Sequence, residues 1–129
     1  MDMRMMMAGS MAQTMDMAAM QNLMEAASAC EQACTMCSNS MMEMDGMARC
    51  AAMCSNCADM SNTMMRMMMR PAGMNATVMM ASLEACKAMA QACMEECSSH
   101  ADMSDTCRMC AMACSELVDA CDAMMASMR

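Results

Sequence analysis

Aromatic side chains are absent from this 129-residue chain, and branched aliphatic ones nearly so: Leu23, Leu83, Leu117, Val78 and Val118 make up the whole Leu/Ile/Val set. A core of interlocking branched and aromatic residues is therefore excluded. Basic residues are scarce, 7 against 15 acidic ones. The net charge of −8 argues against a nucleic-acid partner, and no basic cluster suggests an anionic membrane surface. Every long Met/Ala stretch is interrupted by Asp, Glu, Arg or Gln, so none reaches the roughly 20 apolar residues of a transmembrane helix. Asp2, Arg4, Gln13 and Asp16 likewise break the first 20 residues, which lack the continuous apolar centre of a secretory signal. Histidine occurs once, and no nucleophile, base and orienting group can be assembled, so an enzyme is not expected. No window alternates with period two and β-branched residues, so strands are not expected.

Sulfur is what the chain has in excess: 33 methionines and 13 cysteines. Methionine fills irregular space well and specifies it poorly, so a Met/Ala core is expected to be looser without a ligand than with one. An odd number of cysteines cannot pair completely. Cysteines at i, i+4 on a helix project in parallel, a geometry better suited to shared ligation than to the tight dihedral of a disulfide. Thiols or metal thiolates are expected.

The length fits one domain, and breaker residues divide it into four helical segments. After a Met-rich tail, 1–13, with Met5, Met6, Met7 and Met11 as further sulfur, Thr14 or Asp16 can cap a first helix over 14–39. Asp45-Gly46 opens a second over 45–70, and Pro71-Ala72-Gly73 is the clearest turn. Asn75 or Thr77 caps a third over 75–100, and Asp102 or Ser104 a fourth over 103–128. Long helices with short loops predict an all-α, antiparallel up-down-up-down four-helix bundle over 14–129.

The cysteines fall on single helix faces. Cys30, Cys34 and Cys37 stand at i, i+4, i+7; Cys50, Cys54 and Cys57 repeat the interval. Cys86, Cys93 and Cys97, then Cys107, Cys110, Cys114 and Cys121, follow at spacings of three, four or seven. In an antiparallel bundle the 1–2 and 3–4 turns share one end. The stripes lie late in helices one and three and mostly early in two and four, so all converge there. The expected result is a thiol cavity roughly 15–20 Å long. Met15, Met20, Leu23, Met64, Met65, Met68, Met79, Leu83, Val118 and Met125 would form an apolar plug in the other half. Met41, Met42, Met44 and Met47 crowd the turn at the cavity mouth, joined by Met103 and by His100, three residues after Cys97. Met41, Met44, Met47 and His100 are therefore candidate ligands alongside the thirteen cysteines. Glu95 and Glu96 are expected on a solvated face.

Soft sulfur ligands select Cu(I), zinc or iron–sulfur clusters. Iron–sulfur spacing is missing, and isolated zinc tetrahedra would strand one cysteine. Exchanging a thiol proton for Cu⁺ leaves the core neutral, whereas zinc tetrathiolates bury negative charge with no inward basic residue to offset it. Multiple Cu(I) ions, about one per cysteine, are the expected cargo.

The run Cys86-x6-Cys93-x3-Cys97-x2-His100, followed by Cys107-Arg108-x-Cys110-x3-Cys114, resembles the bacterial copper storage proteins, and the Cys-x3-Cys-x2-Cys repeats of the first half fit them too. The likeness spans about residues 14–127, with a Met content unusual for such a protein. It implies storage of many Cu(I) ions, a homo-oligomer (a tetramer), and handover to a copper chaperone or copper enzyme. Of the family's exported and cytosolic types, the cysteine count and abundant Met suggest the exported one, as a periplasmic mature form without its signal; the alternative is cytoplasmic. Rival functions are a zinc- or cadmium-sequestering metallothionein-like protein, a low-stoichiometry copper shuttle and a thiol redox buffer.

Overall fold

A computed structural model describes residues 16–129. It contains four helices: α1 (Met17–Met42), α2 (Ala48–Met68), α3 (Ala76–Ser98) and α4 (Asp105–Ser127). Each helix packs on its sequence neighbours and α4 returns to α1, while the diagonal pairs barely meet, which is the closed ring of an up-down-up-down bundle. The expected tail 1–13, with Met5, Met6, Met7 and Met11, lies outside the described residues, as do Thr14 and Met15.

Local chemistry sets the helix starts. Asp16 accepts hydrogen bonds from the Ala18 and Ala19 amides, at 2.9 and 3.1 Å. Asn75 accepts from Val78, and Ser104 from Cys107 at 3.2 Å. No such cap opens α2. Gly46 has φ +78°, outside the right-handed helical region, so the helix starts at Ala48, three residues beyond the expected position. At its other end Pro71 disfavours helical geometry in the residue before it and is the first residue of a 3₁₀ turn, Pro71–Gly73. Ser104→Ala should cost about 1 kcal/mol, the usual worth of such a cap, read as a lowered denaturant midpoint at unchanged slope.

The α1–α2 seam is close because its residues are small. Ser38 Oγ donates to the Ala51 carbonyl at 2.9 Å and accepts from Ser55 Oγ at 2.6 Å, satisfying both hydroxyls at the seam. The core is as Met-rich as expected. Met20, Leu23, Met64, Met68, Met79, Leu83 and Met125 are buried in the half away from the α1–α2 and α3–α4 turns. Met65 and Val118, expected among them, are only half-buried. Leu117 and Met124 are buried in full. On α4 the helix faces inward along Cys110, Cys114, Leu117 and Cys121, and Val118 lies one residue off that line.

Candidate metal centre

All thirteen cysteines are buried and free. Their i, i+3, i+4 spacing turns each stripe inward, and the ring of helices brings the four stripes together. Sulfur meets sulfur across every helix pair. Cys34 Sγ lies 3.4 Å from Cys110, and Cys54 lies 3.5 Å from Cys97 and 3.8 Å from Cys110. Cys93 touches Cys110 at 3.9 Å, and Cys30 reaches Cys57 and Cys114 at 3.8 Å each. Four overlapping quartets result: Cys30/Cys34/Cys57/Cys114, Cys34/Cys93/Cys110/Cys114, Cys54/Cys93/Cys97/Cys110 and Cys37/Cys50/Cys54/Cys97. Cys86, Cys107 and Cys121 are buried outside these quartets.

The expected cavity is thus a close-packed column of thiols. The reduced side chains stand in van der Waals contact, their sulfurs 3.4–4.0 Å apart. Contacts this short let several thiolates reach one small ion through modest side-chain rotation. Among the described residues no charged side chain is buried, so nothing inside compensates a net charge. The protons of the column are held unequally. Hydrogen bonding from Cys110 holds the Cys97, Cys93 and Cys37 thiols below their ordinary value. Burial pushes Cys50 and Cys107 up.

At the turn end the structure separates the expected mouth residues. Met41 is buried, and its Sδ accepts from Cys107 Sγ at 3.6 Å; Cys107 in turn lies 3.5 Å from Cys37 and 4.0 Å from Cys50. Met47 packs half-buried against the core. Met42, Met44 and Met103 are exposed, Met44 at 39% and the others more so. His100 follows the end of α3, and its Nε2 lies 3.0 Å from Glu96 Oε2.

Glu96 departs from the expected solvated face. Its side chain is only 16% exposed; Arg49 Nε donates to its Oε1 at 2.8 Å, and together His100 and Arg49 hold its carboxyl below the usual range. Cys50 Sγ, a Glu96 oxygen and a His100 nitrogen all lie within 4.8 Å of one another. The i, i+4 spacing of Glu96 and His100 was a readable signal. The contribution of Arg49 from α2 was not, because it depends on which helix lies alongside. Glu95, one residue away, is exposed as expected.

The family model for copper storage proteins matches residues 16–126. Among solved structures, the copper storage protein Ccsp from Streptomyces lividans, loaded with 10 copper equivalents, superposes with a TM-score of 0.88 at 30% identity, covering 98% of this chain and 99% of that one. A Streptomyces lividans cytosolic copper storage protein with five coppers gives a TM-score of 0.81 at 34% identity, covering 84% and 93%. No curated protein sequence matches the chain significantly. The expectation of an exported, periplasmic form is corrected by this comparison, since the Streptomyces protein is a cytosolic one. Cysteine number and Met content follow from ligation and packing, and neither reports a compartment. With a family match over nearly all of the described bundle and two copper-loaded structures of the same fold, the chain belongs to the copper storage protein family.

Proposed function

We propose that the protein stores copper as multiple Cu(I) ions, about one per cysteine, held by thiolates inside the bundle. The observation that carries this reading is the continuous column of buried thiols linking all four helices at 3.4–4.0 Å, in an interior without charged side chains. Each Cu⁺ replaces one thiol proton and leaves that interior neutral. Soft, low-coordinate ions can share thiolates, which the overlapping quartets favour. Met41 would receive copper first among the buried sulfurs at the mouth, through its contact with Cys107. Met47, exposed Met44 and His100 would assist uptake and release from outside. The role is sequestration rather than catalysis, in the cytosol, with delivery to a chaperone or copper enzyme. Exposed Met36, Met109 and Met112 supply apolar area for a homo-oligomer.

One observation favours zinc as a second reading. In the quartet Cys30/Cys34/Cys57/Cys114, five sulfur–sulfur separations are 3.7–3.9 Å. A tetrahedron with Zn–S bonds of about 2.3 Å has edges of about 3.8 Å. Against it, each closed quartet would bury a double negative charge.

Anaerobic titration of reduced apo-protein with Cu(I), against a competing chelator and with circular dichroism alongside, separates these readings. Saturation near 13 ions, the cysteine count, with helicity present from the start, is the expected result. Saturation at one or two ions would replace storage by a shuttle, and tight uptake of about three zinc ions would favour the second reading.

A further inference from the structure

We propose that Cys50, Glu96 and His100 form a mixed-donor mouth site for one divalent cation of zinc's class, which ties α2 to α3 and shares Cys50 with the outermost thiol quartet. Thiolate, carboxylate and imidazole are the mixed ligands that borderline divalent ions take, whereas every other metal-sized cluster among the described residues is made of thiols alone. The three donors already lie within 4.8 Å of one another, so little rearrangement gathers them around an ion. Water can complete a tetrahedron, because the Glu96 and His100 side chains are 16% and 20% exposed.

Charge decides where a divalent ion goes first. At the mouth, Cys50 thiolate, Glu96 carboxylate and neutral imidazole cancel the ion's two charges. In an inner quartet four thiolates over-compensate it by two, in an interior with no cation. Nor can the helix backbone soften that excess, because interior helical amides are already bonded to carbonyls four residues back. Arg49 adds orientation from outside: its bond to Glu96 Oε1 leaves Oε2, the atom beside His100 Nε2, for the ion. The ion takes the place of the hydrogen bond between Oε2 and Nε2, the neutral ring keeping its one N–H on Nδ1, and the proton of Cys50 goes to solvent. The site spans the most loosely packed of the four adjoining helix pairs, where a cross-link has most to add.

His100 is the sole histidine, so its ring gives an unambiguous signal. Histidine-labelled apo-protein is titrated with Zn(II) at constant neutral pH and followed by NMR. The first equivalent is expected to shift the His100 ring resonances. Cys50→Ser and Glu96→Gln should each abolish the shift at one equivalent, while Cys30→Ser, in the far quartet, leaves it intact. Arg49→Gln should weaken binding about 10-fold, as loss of an outer hydrogen bond to a ligand does. Thiol consumption with His100 unmoved would overturn the proposal by placing zinc in the quartets. A shift surviving in Cys50→Ser would also overturn it, leaving a surface Glu–His contact that does not join the helices. Because the titration contains no copper, failure of the storage reading leaves this result standing, and the reverse.

Discussion

Replacing Cys34 and Cys110 together by alanine is expected to remove more copper than the two thiols themselves account for. One or both of them stand in three of the four quartets, and their sulfurs, 3.4 Å apart, join α1 to α4 at the centre of the column. If neighbouring ions share thiolates, deleting this pair leaves Cys54, Cys93 and Cys114 short of partners. Replacing Cys86 and Cys121 removes the same number of thiols from outside the quartets, and should cost only about two ions by the one-per-cysteine exchange. Chelator-competed Cu(I) titration of both variants gives the comparison directly. Equal losses would mean that the thiols act independently and that the quartets have no cooperative meaning. Apo helicity should persist in both, because trimming a buried cysteine to alanine leaves a small void, worth about 1 kcal/mol per site. Collapse of the apo fold in the central variant would show that the column also holds the bundle together.

Leu83→Ala should have the largest effect on stability. Leu83 is fully buried and is one of three leucines in a core otherwise built from Met, Ala and Cys. Truncating a buried leucine costs about 2–5 kcal/mol, set against a total stability of about 5–15 kcal/mol for a domain. Flexible methionines can partly refill the void, which places the expected cost in the lower part of that range. A fall of roughly 10 °C in the apo melting midpoint follows, measured by circular dichroism. Copper binds the folded chain, so loading should recover much of that loss by mass action. An unchanged apo midpoint would mean that the Met-rich half does not anchor the fold. A midpoint that copper fails to raise would mean that the thiols are ligated equally well in the unfolded chain.

Much of this architecture was legible because helix periodicity is a local property. Cys30, Cys34 and Cys37 declare a face by spacing alone, and Pro71 and Gly46 declare breaks by the backbone geometry each imposes or permits. Antiparallel topology then brings all four stripes to one end without knowledge of a single contact. The errors lie where one residue of phase or one neighbouring helix matters. Val118 was expected inward, but the line set by Cys114 and Cys121 buries Leu117 instead. Met44 and Met41 looked equivalent at the mouth; the first is exposed, and the second, within the last turn of α1, meets Cys107. Position alone makes Glu96 a solvated charge; in the fold Arg49 and His100 enclose it.

The sequence by itself determined the helices, the inward placement of thirteen thiols, the neutral and soft character of the interior and hence the class of cargo. Those follow from residue chemistry and a 3.6-residue period, which each segment carries alone. The tertiary structure alone decided which thiols share an ion-sized volume, that the expected cavity is a packed column, and that Cys50, Glu96 and His100 converge at the mouth. Those depend on the axial offset and rotation of one helix against another. Such offsets are fixed by the fit of small seams such as Ser38 against Ala51 and Ser55, which no single segment encodes.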